Sequence, residues 1–242
     1  MQKDEVFKGS IHNPSDFKFS SKVAGVFDDM VNRSVPYYEE IQRMISELTI
    51  DHYQDKSYVY DLGCSTGTTM IYMNDTLPQK VSFIGIDDST DMLKKCREKL
   101  DAAGVTRDIS LETADLNNNV HIHDASVAIL CLTLQFIRPL NRERLLKQIY
   151  DGMLPGGALI VIEKVLAEDS LFNRDFIDYY YNFKRRNEYS ELEISQKREA
   201  LENVLIPYKL SENITLLRNA GYNHCEVFFK WYNFAGFIAK KY

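Results

Sequence analysis

The sequence predicts a doubly wound α/β fold on a mostly parallel sheet. Three observations predict it. Short apolar runs alternate with stretches of helical spacing between residues 58 and 162, and that alternation is the pattern of βαβ units. The first run, Tyr58-Val59-Tyr60-Asp61-Leu62, carries an acid one residue before its end and opens into Gly63-Cys64-Ser65-Thr66-Gly67-Thr68. A strand, a glycine turn and a helix in that order can seat a nucleotide-like ligand at the carboxyl edge of a parallel sheet. The last two apolar runs, at 225–231 and 233–239, are close enough in the chain to pair antiparallel.

Each element follows from local pattern. Residues 1–20 are polar and read as loosely ordered. Val23, Phe27 and Met30, then Ile41, Met44, Ile45 and Leu48, recur at helical spacing. Asn32-Arg33-Ser34-Val35-Pro36 separates these two helices, which puts Tyr38 in the first turn of the second, facing the sheet edge. After the first strand, 69–77 reads as a helix. Residues 81–86 are a continuous apolar run ending in Asp87-Asp88, as expected of a buried parallel strand. A helix over 91–103 has Ser89 as its N-cap. Strands at 110–113 and 126–132, a helix at 142–151, the turn Leu154-Pro155-Gly156-Gly157 and a strand at 158–162 complete the rhythm. From Val165 to about Pro207 the chain turns charged and helical, then 213–220 reads as a helix closed by Gly221. The expectation is one domain over 1–242, with seven strands and 165–207 as a helical insertion or lid after the fifth.

Composition narrows the function. The chain has 242 residues, 45% hydrophobic and 26% charged, with a net charge of −6. That balance suits a packed core. It argues against broad contact with a phosphate backbone, which needs a basic face, and favours a small-molecule substrate over nucleic acid. Cys64, Cys96, Cys131 and Cys225 are widely spaced and form no disulfide framework, which fits a reducing cytoplasm. His121, His123 and Asp124 read as a polar loop before a strand rather than a metal site, since no third or fourth ligand is in view. No apolar run reaches membrane-spanning length. No metal and no membrane partner are therefore expected.

The glycine turn has the spacing D-x-G-x-x-x-G, not the dinucleotide fingerprint G-x-G-x-x-G. It resembles the first motif of class I S-adenosylmethionine-dependent methyltransferases. S-adenosylmethionine carries no phosphate, but an amino-acid tail and a sulfonium; Gly63 lets the backbone approach that tail, and Asp61 can orient the turn or meet the amino group. Asp87, at the end of the second strand, is placed to accept ribose hydroxyls, with Asp88 as its neighbour. Asp115 and the Leu116 backbone, after the third strand, can read an adenine edge. The Leu154-Pro155-Gly156-Gly157 turn is similar to the one before the fifth strand of that superfamily. No N-P-P-[YF] string and no Pro-Cys nucleophile is present.

The insertion holds the second signal. Ser190 and Glu193 form the sequence pattern of a capping box. On the helix that follows, Arg198 shares a face with Ile194 and Leu201, the face expected to pack. A charge there needs an anionic partner; either Glu side chains solvate it or it clamps a carboxylate in bidentate fashion, and the residues alone leave both open. Ser34-Val35-Pro36, Tyr60-Asp61-Leu62-Gly63-Cys64-Ser65, Leu134-Gln135-Phe136 and the run from Tyr189 to Arg198 together resemble the carboxy-S-adenosyl-L-methionine synthases, over nearly the whole chain. That resemblance implies conversion of S-adenosylmethionine and prephenate to carboxy-S-adenosylmethionine and phenylpyruvate without a metal, in a cytoplasmic homodimer. A separate tRNA-modifying enzyme would use the product at the wobble uridine. It implies ligand contacts from Tyr38, Gly63, Cys64, Ser65, Asp87, Asp88, Asp115 and Leu116, and makes Arg198 the catalytic residue that holds the new carboxylate. Cys131 stands where the family pattern has Asn, and a thiol is a weaker donor and acceptor. Lys184, Arg185 and Arg186 are candidates for attracting the doubly negative prephenate. The rival expectations are an ordinary small-molecule methyltransferase and a non-catalytic cofactor-binding protein.

Overall fold

The computed structural model describes residues 2–9 and 16–242. Its centre is a sheet in which β1 (Tyr58–Leu62), β2 (Ser82–Asp87), β3 (Ile109–Thr113), β4 (Ala125–Cys131) and β5 (Met153–Leu166) run parallel. With β7 (His224–Trp231) and β8 (Phe234–Lys240) the order is β3-β2-β1-β4-β5-β8-β7. β8 lies antiparallel to both β5 and β7. The chain reverses direction between β1 and β4, and ligands of doubly wound folds bind in the crevice at such a switch point.

Both faces of the sheet are covered, and the strands read accordingly. In β4, Ala128 and Leu130 point into one core cluster while Val127 and Ile129 point into the other. Period-two alternation between two buried faces gives a run with no polar side. One face packs on α6 (Pro139–Gly152) and α9 (Leu210–Asn219) through Leu145, Leu146, Ile149 and Leu217. The other packs on α3 (Tyr38–His52), α4 (Thr68–Thr76) and α5 (Thr90–Ala102) through Ile41, Ile45, Met70, Met73, Leu93 and Cys96. Ser89 caps α5, its hydroxyl accepting the Met92 N–H.

Four expectations are corrected. The N-terminal segment is not loose where it is described. Asp4 is only 2% exposed and Phe7 is buried; the Phe17 N–H donates to the Ala200 carbonyl at 3.0 Å, and Ser89 Oγ donates to the Phe19 carbonyl at 2.6 Å. The cause is long-range pairing, which local polarity does not report. The first expected helix is two, α1 (Ser21–Ala24) and α2 (Phe27–Ser34); α2 continues through the segment expected to break it, and the break comes only at Val35-Pro36-Tyr37. The Leu154-Pro155-Gly156-Gly157 stretch is part of β5, with a register shift opposite β4. An eighth, two-residue strand, β6 (Tyr208–Lys209), pairs with the end of β5. The 165–207 region holds α7 (Ser170–Arg186) and α8 (Glu191–Leu201).

Candidate active site

The loop between β1 and α4 is held in a shape that suits a close-fitting ligand. Gly63 and Gly67 have φ near +79° and +78°, and Ser65 also lies in the left-handed region. A Cβ on Gly63 would sit 2.4 Å from Thr133 Oγ1, so strain and collision both demand glycine there. The loop is tied to β2 by Gly63 N–H and Cys64 N–H donating to the Ile86 carbonyl, at 2.7 and 3.0 Å. Asp87 fixes the rest: Oδ2 accepts the Ser65 N–H and Oδ1 the Ser89 N–H, both at 2.9 Å. Each oxygen keeps a second lone pair. Burial raises the Asp87 pKa despite those two donors.

A cavity of about 370 Å³ opens over this loop. All ten residues expected at the site line it, from Tyr38, Gly63, Cys64 and Ser65 through Asp87, Asp88, Asp115 and Leu116 to Cys131 and Arg198. Asp115 is itself held by its own turn, accepting from the Asn117 N–H at 2.8 Å.

Behind Cys131, beneath the cavity surface, lie two buried acceptors. Asp61 is 1% exposed, and its Oδ2 has no hydrogen-bond partner. Burial first, and then the charge of Asp87, push its pKa up to about 7. Gln42 is fully buried; its Nε2 donates to Cys131 Sγ at 3.6 Å and its Oε1 is unpartnered. Burial lifts the Cys131 thiol to about 12, so it stays neutral. Both atoms lack a donor in the ligand-free protein, and an unpaired buried acceptor is costly until a donor arrives.

The opposite wall comes from β5 and the insertion. Glu163 Oε1 accepts the Leu134 N–H at 2.9 Å, which holds the one-turn helix Leu134–Phe136 against β5. Buried Arg142 donates to the carbonyls of Gln135 and Ile206, at 3.2 and 2.6 Å. The far end of the insertion is thereby fixed to the same turn. Burial pushes the Glu163 pKa up to about 8.

Arg198 departs from the expected packing. The buried stripe of α8 is Glu193, Ile194, Gln196, Lys197 and Ala200, so Lys197 takes the packed position and Arg198 is exposed at the cavity wall. Of the basic run, Lys184 lines the cavity, whereas Arg185 turns outward to Glu191. Lys164, Thr133 and the aromatic residues Phe17 and Phe19 also line it, outside every motif of the sequence, and so do Gln135 and Lys197, to which the sequence assigns no separate role. Phe19 meets Phe136 edge-on at 5.4 Å, so the N-terminal segment forms part of the wall. No group of three His, Cys, Asp or Glu side chains gathers as a metal cluster among the described residues. Among them, too, no helix is long and apolar enough to cross a membrane.

A family profile described as a methyltransferase domain matches residues 59–157, the segment that holds the glycine turn. The carboxy-S-adenosyl-L-methionine synthase of Methylococcus capsulatus is 52% identical over 242 residues, all of both chains. The chain belongs to the carboxy-S-adenosyl-L-methionine synthase family. The synthase of Desulfotalea psychrophila is 44% identical over 244 residues, covering 99% of this chain and 98% of that one. Among solved structures, an O-methyltransferase family protein from Burkholderia thailandensis superposes with a TM-score of 0.69 at 15% identity. It covers 92% of this chain, which spans 60% of that longer one. That likeness speaks to the fold, a class I methyltransferase sheet, as the strand pattern predicted. Membership in the synthase family agrees with the resemblance carried by the Tyr189 to Arg198 run.

Proposed function

We propose that this chain makes carboxy-S-adenosyl-L-methionine from S-adenosylmethionine and prephenate. The near-full-length identity to the Methylococcus capsulatus synthase carries this reading. The cavity supports it, with the carboxylates of Asp87, Asp88 and Asp115 on one side and the basic side chains of Lys164, Lys184, Lys197 and Arg198 on the other.

The atoms balance without a metal. Prephenate loses its ring carboxylate as carbon dioxide and its hydroxyl as the ring becomes aromatic, leaving phenylpyruvate. The sulfonium methyl, made acidic by the positive sulfur, gives up a proton that departs with the hydroxyl as water. The methyl carbon then bonds to the carbon dioxide. The chain holds the reactants together and keeps bulk water out. Asp61 and Gln42 receive the ammonium, Asp87 and Asp88 the ribose, and Asp115 with the Leu116 backbone the adenine. Tyr38, the Gly63-Cys64-Ser65 turn and Cys131 close around the tail. Arg198 pairs with the transferred carboxylate, a group that methyl transfer never produces. The family resemblance further supports a cytoplasmic homodimer, with 165–207 as its lid, whose product passes to a separate tRNA-modifying enzyme.

The test is the mass of the ligand released on denaturing freshly purified protein, wild type and Arg198→Ala. The expected species is one carboxyl group heavier than S-adenosylmethionine, present in the wild type and lost from the variant. Its affinity in the variant should fall at least about tenfold, as loss of a charged hydrogen-bonding pair implies. Equal retention of that species by Arg198→Ala would remove the clamp. Release of S-adenosylhomocysteine alone would favour methyl transfer.

A further inference from the structure

Three lysines converge on the insertion side of the cavity. Lys164 follows Glu163 in β5, Lys184 belongs to α7 and Lys197 to α8, and all three line the cavity. Lys184 is 5% exposed and Lys197 6%. The ammonium groups of Lys164 and Lys184 lie over the same ring, each 4.8 Å from the centroid of Tyr180. Among the described residues neither makes a hydrogen bond or an ion pair. Lys197 is better served: it donates to Ser34 Oγ at 3.1 Å and has Asp4 Oδ2 at 3.9 Å.

Such a cluster is costly in a ligand-free protein. Burial, then the neighbouring ammoniums of Lys197 and Lys164, hold the Lys184 pKa well below the lysine range, with only Asp4 opposing. A ring face is a weak substitute for a carboxylate, and an unpaired buried charge is strongly unfavourable. Two amines at the wall of an open cavity, one buried and one partly buried and neither with a counter-ion, gain most from an anion that arrives through that cavity. The carboxyl groups of Asp87, Asp88 and Asp115 on the cofactor side of the cavity are its acidic part, so the counter-ion must be a ligand.

We propose that Lys164 and Lys184, backed by Lys197, form an anion subsite that grips the retained carboxylate of a dianionic keto-acid carboxyl donor. The proposal rests on the carboxyl-transfer reading above and goes further by separating two carboxylates. Carbon dioxide can leave only from a carboxylate that gives up its charge, so a tight cation pair there would stabilise the ground state and slow its loss. The keto-acid carboxylate keeps its charge throughout, and holding it costs the reaction nothing. The lysine pair therefore fixes the end that does not react, while Arg198 meets the carboxylate that has been transferred.

The experiment uses Lys184→Met and Lys164→Met alongside the wild type. Methionine fills the stem without the charge, so both variants should fold with Tm equal to or above that of the wild type and bind S-adenosylhomocysteine within about twofold of it. With S-adenosylhomocysteine present, the wild type should be stabilised by prephenate and by phenylpyruvate, which shares the retained carboxylate. Each variant should lose about tenfold or more in affinity for both acids, as removal of one charged partner implies. If the variants bind both acids as tightly as the wild type, or the wild type binds neither, the subsite is wrong. If phenylpyruvate binding depends on Lys184 but prephenate yields no carboxy-S-adenosylmethionine, the subsite stands and the donor assignment falls.

Discussion

Asp61 lies one residue from the end of β1 with its carboxyl stripped of water and one oxygen unpartnered, and a pH dependence follows. Its pKa rises from 3.8 to about 7 on folding. The folded protein thus holds this proton more tightly than the unfolded chain does. The group's contribution to stability declines as pH rises from about 4 to about 7 and stays low above that. Asp61→Asn should raise Tm at pH 8 in the absence of ligand, by about 2–4 °C per kcal/mol recovered at this chain length. The bound ammonium has the opposite preference and favours the ionised carboxyl. Wild-type affinity for S-adenosylmethionine should therefore weaken as pH falls from 7 to 5.5, by up to about tenfold per unit. The asparagine variant should bind more weakly and with a flatter profile; titration calorimetry at the two pH values checks this, and identical slopes would exclude Asp61 from tail recognition. The acids and glycines of the site were legible because strand-end position and turn chemistry mark them. Lys164 and Lys197 were not. A lysine beside other charged residues reads as solvated, and only long-range contacts enclose these two, Tyr180 of α7 against Lys164 and Ser34, Asp4 and Tyr189 against Lys197. Asp4 was hidden likewise, since its partners Tyr189 and Lys197 lie far along the chain.

Helix α8 shows how an element carries the chemistry. Ser190 Oγ accepts the Glu193 N–H while Glu193 accepts the Ser190 N–H at 2.8 Å, closing the capping box. The helix so fixed presents Lys197 and Arg198 to the cavity. Ser190→Ala should cost about 1 kcal/mol in urea unfolding and raise the KM for the anionic donor several-fold, with S-adenosylmethionine affinity unchanged. An unaltered KM beside the stability loss would mean that α8 does not set the donor wall. This cap was readable from the sequence, as were β1, the alternation that gives a mostly parallel sheet and the terminal antiparallel pair. The length of β5 was not. It runs on to Leu166 because β8 pairs with it through Glu163↔Ala235 and Lys164↔Phe234, and that extension places Lys164 in the cavity. Leu134–Phe136 and β6 were also missed. The first is held by Glu163 and the second by the end of β5, neither of which leaves a local pattern.

Across the whole molecule, charge is divided by origin. The common sheet edge, from β1 to β3, supplies the acids and glycines of the cofactor half. The inserted helices and the end of β5 supply lysines and arginine, and the N-terminal segment braces them through Asp4 and Phe17. A sheet shared with methyltransferases thereby gains a cationic wall suited to a carboxylate. The family was readable because the insertion carries its own string, Tyr189 to Arg198, beside the motifs of the sheet. The central claim, transfer of a carboxyl group from prephenate to the sulfonium methyl, is tested most directly by an isotope. Purified protein would be given S-adenosylmethionine and prephenate labelled with carbon-13 in the ring carboxylate. Mass spectrometry should find the label in carboxy-S-adenosylmethionine and none in phenylpyruvate. Unlabelled product, or S-adenosylhomocysteine in its place, would contradict the account.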